Sequence, residues 1–259
     1  MRSESGSGVR PPLLETRGLC RNFGALAAVR DIAFRLEAGA RHALIGPNGA
    51  GKTTFINLLT GVLQPTRGEV RLTGRDITGV VEADRVKLGI ARTFQINRLF
   101  RGLSVLENVY IAVAERVGAA PSMFRPAGTL RDVVDESMRL LETLKLTDDA
   151  SHRISELPYG RQRLVELAIA LALKPTVLLL DEPAAGVPSA ESHIILDAID
   201  GLPEHIAVLI IDHDMDLVFR FAERITVMVS GAIFAEGTPR EIGANPDVRA
   251  VYLGQAGHG

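Results

Sequence analysis

Gly46-Pro47-Asn48-Gly49-Ala50-Gly51-Lys52-Thr53 is the stretch that decides the fold. It matches GxxxxGK[ST], in which glycines let successive backbone N–H groups converge on phosphate oxygens at a helix N-terminus, where the macrodipole favours negative charge. Its flanks fit that geometry. Apolar Ala43-Leu44-Ile45 reads as a buried strand entering the loop, and Thr54-Phe55-Ile56-Asn57-Leu58-Leu59 as a helix leaving it. In such a loop Lys52 reaches the β and γ phosphates of a nucleotide, Thr53 offers its hydroxyl to Mg²⁺, and Thr54 is counted with the nucleotide-binding positions. A glycine-rich turn with no ligand is the plainer reading of these residues, and the strand-loop-helix setting weighs against it.

A second signal lies further along. Val177-Leu178-Leu179-Leu180 reads as a buried strand that releases Asp181 and Glu182 at its end. There Asp181 can hold Mg²⁺ directly or through water, and Glu182 can orient and polarise an attacking water. Adjacent carboxylates repel unless a cation offsets them, so a purely structural pair is the weaker account. The Asn-Lys-x-Asp run that specifies guanine is absent from the sequence.

Outward from these motifs, short Val/Ile/Leu runs without in-out alternation predict strands covered on both faces, hence an α/β fold with a mainly parallel sheet. Short strands are expected at Leu13–Glu15, Ile32–Leu36, Arg41–Ile45 and Glu69–Leu72, the early ones forming a partly antiparallel lobe. From Leu103 to Glu156 the period is helical. Val105, Val109, Ala112 and Val113 share one face, Val133, Val134, Met138, Leu141 and Leu144 recur at helix spacing, and Gly118 to Gly128 separates the two helices. Helices are expected over Arg161–Leu173, Glu191–Ile199 and Asp214–Ala222, with strands at Val177–Leu180 and Ala207–Ile211 between them. The predicted architecture is an α/β P-loop NTPase (RecA-like) core, residues 13–95 and 160–238, with a small antiparallel β lobe. An inserted α-helical subdomain spans 96–159, a polar leader 1–12 and a helical tail 239–259.

Composition narrows the function classes. With 29 basic against 31 acidic residues and a formal charge of −2, there is no global basic field for a nucleic-acid backbone, and no nucleic-acid partner is expected. One cysteine, Cys20, excludes an intrachain disulfide and fits a reducing compartment; it reads as a small buried residue. The chain is 46% hydrophobic, yet its apolar runs end at Lys174, Asp181 or Asp212, far short of the ~20 residues a membrane span needs. The leader lacks an apolar segment, so a cytoplasmic location is expected.

Between the two main motifs lie Ala91-Arg92-Thr93-Phe94-Gln95 and Leu157-Pro158-Tyr159-Gly160-Arg161-Gln162, and after them Ile211-Asp212-His213-Asp214. In this order and setting the chain closely resembles the nucleotide-binding subunit of ATP-binding cassette (ABC) transporters, over about 240 residues. The stretches GIARTFQINRLFRGLSVLENV, LLLDEPAAG, IIDHDM and NPDVRAVYLG are most similar to ATPase subunits of branched-chain amino-acid uptake systems.

The resemblance implies ATP and Mg²⁺ as cofactors, with Thr53, Gln95 and Asp181 at the metal. It implies catalytic roles for Glu182, for His213 at the γ-phosphate, and for Gln95 as the reporter of nucleotide state to the helical insertion. Phe23 is implied to stack on adenine, a role for which a core phenylalanine competes. Leu157 to Arg161 aligns with the family's LSGGQ, which acts in trans on the opposite subunit's γ-phosphate, but only Leu157 and Gly160 match. Pro158 removes a hydroxyl and an amide donor, leaving the Gly160 amide and the dipole of the following helix. Arg161 either supports that loop electrostatically or is a solvated helix-start residue. Pro188 falls where the family places Asp or Asn in the loop crossing the dimer interface, which puts site-to-site communication in doubt. The implied partners are a second cassette, as homodimer or paralogue, separate transmembrane permease subunits and a solute-binding protein, at the cytoplasmic face of the membrane. The helical insertion, with Gln95 at its root and Arg98, Leu99, Phe100 and Arg101 beyond it, is the expected docking surface, with a solvated basic face over ordinary core as the plainer reading of that run. The alternatives are a non-transport ABC ATPase and a nucleotide-dependent regulatory module.

Overall fold

The computed structural model describes residues 12–93, 99–118 and 127–253. Most of the expected leader, the Gly118–Gly128 break, and Gln95 with Arg98 lie outside the described residues.

Among the described residues the strands are β1 (Leu14–Phe23), β2 (Leu26–Leu36), β3 (Arg41–Ile45), β4 (Arg67–Leu72), β5 (Arg75–Asp76), β6 (Ile90–Thr93), β7 (Val177–Asp181), β8 (Ala207–Ile211), β9 (Arg224–Val229) and β10 (Ala232–Gly237). The helices are α1 (Lys52–Thr60), α2 (Glu82–Lys87), α3 (Val105–Arg116), α4 (Ala127–Thr143), α5 (Tyr159–Ala172), α6 (Ser189–Asp200), α7 (Met215–Phe221), α8 (Pro239–Ala244) and α9 (Pro246–Leu253). Two sheets result. One runs in the order β10-β9-β3-β8-β7-β6, parallel except for β10; the other, β2-β1-β4-β5, is antiparallel.

The parallel strands read as continuous apolar runs because both faces are covered. Ala43, Ile45, Leu178, Leu180, Val208 and Ile210 point into a core shared with α3 to α7, while Leu44, Val177, Leu179, Leu209 and Ile211 point into one shared with α1 and the antiparallel sheet. Each alternate residue thus finds apolar cover on its own side.

Several expectations need correction. The antiparallel strands are longer than predicted, β1 with 10 residues where three were expected and β2 with 11 where five were expected. One side of this sheet is partly solvated, so polar residues such as Arg17, Arg21 and Asp31 interrupt the apolar pattern, and the register shifts around Gly18 break it further. The hairpin β9–β10 was not expected from the sequence at all; Ser230 (φ 48°) and Gly231 (φ 84°) form its tight turn. In α4 and just after it, Val133, Leu141 and Leu144 are buried as expected, but Val134 is exposed and the small polar Ser137 takes the buried position, donating to the Val133 carbonyl at 2.7 Å. Helix α5 begins at Tyr159, two residues before the predicted start, with Pro158 as its N-cap.

The helical region is tied together by polar contacts. Ser104 and Glu107 cap α3 reciprocally, at 3.2 and 2.7 Å. Buried Asn108 accepts from the Phe100 amide and donates to the carbonyls of Phe100 and Ser104, which anchors the segment before α3. Arg116 joins Glu136 of α4 at 2.7 Å and the Ala172 carbonyl ending α5 at 2.6 Å.

Candidate active site

The loop 46–51 leaves β3 and wraps the N-terminus of α1 in a conformation that demands glycine. Gly46 (φ 152°) and Gly51 (φ 96°) are both packed against backbone: an added Cβ would lie 2.2 Å from the Met228 carbonyl oxygen and 2.4 Å from that of Ala28, respectively. The first helical hydrogen bond in α1 runs from Phe55 to Gly51 at 2.9 Å, so the amides of Lys52, Thr53 and Thr54 have no acceptor within the helix. No acidic residue occupies this first turn, and no side chain caps it. The loop therefore offers N–H donors and a positive dipole end to an anion.

Lys52 folds back over the loop, its ammonium donating to the carbonyls of Gly46 at 2.5 Å and Pro47 at 3.1 Å. Burial holds its pKa below the usual lysine range, against the opposing pull of Glu182 and Asp181. A cavity of about 730 Å³ opens in front of it, lined by Asn48 to Thr54 together with Phe23, Leu26, Asp181, Glu182 and Ile211. Phe23 is 43% exposed and faces this cavity with the Arg21 guanidinium 4.7 Å from its ring centre, so the core-phenylalanine reading does not hold.

Asp181 ends β7 and accepts from Arg92 at 2.6 Å. Glu182 follows at φ 47°, a left-handed conformation that is costly for a side-chain-bearing residue and recurs at functional sites. Its amide donates to the Ile211 carbonyl at 2.8 Å, holding this turn against the end of β8. His213, just past β8, is exposed and places Nδ1 3.4 Å from Glu182 Oε1. Beneath it, the carboxylate of buried Asp212 accepts from the amides of His213 at 2.7 Å and Asp214 at 3.0 Å, fixing the turn that presents the imidazole. Burial pushes the Asp212 pKa up despite those bonds.

The structure therefore brings Phe23, Gly46 to Thr54, Asp181, Glu182 and His213 together. It does not bring Leu157 to Arg161 to that cavity, whose lining contains none of them. These residues form the start of α5, where Leu157 is buried and the amides of Tyr159, Gly160 and Arg161 precede the first helical hydrogen bond, from Gln162 to Pro158. Arg161 is partly exposed but not free: its guanidinium donates to the Lys145 carbonyl and to Asp149 Oδ2, both at 2.8 Å. Tyr159 packs on Gly186 of the loop after Glu182 and lies 4.9 Å from the Arg163 guanidinium. Pro188 is the N-cap of α6.

Sequence reasoning gave no role to Arg92, Asn57, Asp212 or Arg21. Arg92 and Asp212 sit inside quoted motif stretches, but their partners are set by tertiary contact or by a local turn with no spacing signal.

The family model described as ABC transporter matches residues 29–185, and that described as Branched-chain amino acid ATP-binding cassette transporter matches residues 232–258. The high-affinity branched-chain amino acid transport ATP-binding protein LivG of Salmonella typhimurium is 39% identical over 252 residues, covering 95% of this chain and 99% of that protein. BraF of Pseudomonas aeruginosa is equally similar, and a probable LivG of Archaeoglobus fulgidus is 36% identical over 93% of this chain and 95% of that protein. Among solved structures, an ATP-binding cassette of an ABC transporter in its ADP conformation superposes with a TM-score of 0.82 at 30% identity, covering 93% of this chain and 98% of that one. A nucleotide-free cassette gives 0.80 at the same identity and coverage. Fold, loop and relatives converge: the chain belongs to the ABC transporter family, as an ATP-binding subunit of the branched-chain amino-acid transport type.

Proposed function

We propose that this subunit energises an importer of branched-chain or related amino acids, working as one of two cassettes that close head to tail around two ATP molecules. Separate transmembrane subunits form the pore, a solute-binding protein delivers the substrate, and the cassette sits at the cytoplasmic face of the membrane. No helix among the described residues is long and apolar enough to cross a bilayer, which is compatible with that division of labour. The transport substrate is inferred from the names of the relatives alone.

In this reading the loop amides and Lys52 bind the phosphates, and Phe23 stacks on the base, an attraction that excludes other bases only weakly. Glu182 takes the proton of the attacking water while His213, 3.4 Å away, contacts the γ-phosphate. Thr53 and Asp181 are hard oxygen donors of the kind Mg²⁺ prefers. With the nucleotide's phosphates, they would hold the ion, which commonly binds through one or two carboxylates plus substrate phosphates. When bound, the ion neutralises phosphate charge. Opposite the γ-phosphate, the partner cassette offers the amides of Tyr159 to Arg161 and the α5 dipole, with Arg161 as a brace of that helix start. Loss of the γ-phosphate removes those contacts and opens the dimer.

The observation that carries this reading is that Asn48 to Thr54, Asp181 and Glu182, from separate parts of the chain, line one cavity. Glu182→Gln tests it. The variant should bind ATP, remain dimeric with ATP in light scattering, and lose hydrolysis by roughly 10²–10⁴-fold. Hydrolysis at the wild-type rate would exclude Glu182 as the base. Hydrolysis by wild type that ignores reconstituted membrane subunits would exclude the coupling role.

A further inference from the structure

Arg92 lies on β6 with a side chain only 6% exposed, beside the nucleotide site but outside every role given above. Its guanidinium makes two directed bonds: Nη2 donates to Asp181 Oδ2 at 2.6 Å, and Nη1 donates to Asn57 Oδ1 at 2.7 Å. The two acceptors belong to different elements. Asp181 ends β7, whereas Asn57 lies on α1 four residues after Thr53, so Thr53 and Asn57 share a helix face one turn apart.

The sheet fixes β6 against β7, with Arg92 opposite Leu179 and Thr93 opposite Leu180. Those ladder bonds do not reach α1, which packs across the face of the sheet; the bond from Arg92 to Asn57 does. One guanidinium therefore spans the strand that carries Asp181 and the helix that carries Thr53. It also offsets the charge of a carboxylate that is 20% exposed and adjacent to Glu182. A planar fork suits this task, because a lysine ammonium on a flexible stem would not hold both acceptors at a set angle.

We propose that Arg92 is a positioning residue for the divalent cation of the nucleotide site. By holding Asp181 Oδ2 and Asn57 together, it presents the remaining carboxylate oxygen at a preset spacing from the Thr53 hydroxyl before a metal–nucleotide complex arrives. This rests on the reading of Thr53 and Asp181 as the Mg²⁺ donors. The opposite role, a resident cation that Mg²⁺ must displace from Asp181, gives the opposite sign in the same experiment.

The test is the affinity of the full chain for the non-hydrolysable analogue AMP-PNP, by calorimetry, in excess Mg²⁺ and in EDTA. Arg92→Met should leave the EDTA value within about twofold of wild type and weaken the Mg²⁺ value by roughly 10–100-fold, the usual loss when an outer partner of a metal-ligating carboxylate is removed. Arg92→Lys and Asn57→Ala should fall between. Equal weakening in both buffers would make Arg92 merely structural, an unchanged Mg²⁺ value would remove its role, and a tighter one would make it a competitor; each overturns the proposal. Should Arg92→Met not fold, Asn57→Ala decides, because it keeps the ion pair and removes only the arm to α1. A wild type with the same affinity in both buffers would sink the magnesium reading itself. A Mg²⁺-dependent wild type with unaffected variants would sink only the assignment of Arg92.

Discussion

Arg85 is fully buried, and its guanidinium is spent on backbone carbonyls. Nη1 donates to Leu58 and Leu59 at 2.7 and 2.8 Å, Nη2 to Thr78 at 2.9 Å and Nε to Val80 at 2.9 Å. Leu58 and Leu59 are among the last carbonyls of α1, so the cation caps the negative end of the helix whose other end carries Lys52. Burial lowers its pKa to about 10, partly opposed by Asp76, and it stays charged at neutral pH. Arg85→Met strands those four carbonyls, and a loss of about 4 kcal/mol or more is expected in urea unfolding, given ~1–3 for each buried group left unpaired. A loss under ~1 kcal/mol would show that water replaces the guanidinium. His42 on β3 gives a pH signature. It is 2% exposed, its Nε2 is 2.8 Å from Thr226 Oγ1, and burial drives its pKa down to about 4. The unfolded value is about 6.5, so between these limits the unfolded chain binds the extra proton. Stability from this group is complete above pH 6.5 and falls as the pH drops toward 4, by about 3 kcal/mol in all. Asp212 and Glu166, whose pKa values burial raises, act in the opposite sense. The wild-type minus His42→Gln difference across that window therefore isolates the imidazole, and a flat difference would contradict the assignment.

At the scale of elements, α5 and the loop after β7 meet through Tyr159 and Gly186. Gly186 has φ 76°, and a Cβ there would approach Tyr159 Cε1 to 3.2 Å. Gly186→Ala thus meets two penalties, about 1–2 kcal/mol for a left-handed alanine and a ring contact that must give. A total near 2–3 kcal/mol is expected in thermal or urea unfolding, and Tyr159→Leu in the same chain should recover the ring part, with a coupling of ~0.5 kcal/mol or more between the sites. Strict additivity would mean the ring simply moves aside. The contact joins two places where the sequence departs from the pattern its resemblance implied, the altered LSGGQ loop and the loop ending at Pro188. Neither departure announces the other, because the residues are in contact only after folding. Local signals were readable for the phosphate loop between β3 and α1, the carboxylates after β7, and β3, β7 and β8, though not for β9, whose Arg224–Val229 run is covered on both faces as well. Other signals lost were those of one-sided packing. β1 and β2 present polar residues to solvent, and the pair from Arg92 to Asp181 spans 89 residues of sequence, leaving no spacing to read. The Ser230-Gly231 turn was legible in principle, since a two-residue hairpin with positive φ at both positions is a recognised signal.

At the scale of the whole molecule, the nucleotide site and the proposed membrane-facing surface lie on the same stretch of chain. β6, which carries Arg92, leads toward Leu99 to Arg101, and Asn108 binds the backbone of Phe100 through its buried amide. Asn108 in turn belongs to α3, capped by Ser104 and Glu107, so the loop before α3 is set by a rigid helix start rather than by its own side chains. That leaves the Phe100 ring 56% exposed while its backbone is fixed, the arrangement expected of an aromatic anchor whose ordering cost is already met. Leu99 is packed partly against the helical core and adds little free surface. If Phe100 seats in a pocket of the membrane subunits, Phe100→Asp should leave ATP binding by the isolated cassette unchanged. It should weaken co-purification with those subunits by roughly 30-fold or more, the equivalent of a ~2 kcal/mol hot spot. Asn108→Ala should weaken it less while lowering stability, because it frees the loop without removing the anchor. Retention of the full complex by the Phe100 variant would move the docking surface away from this loop, and loss of ATP binding in the isolated variant would mean that the ring supports the site rather than a partner.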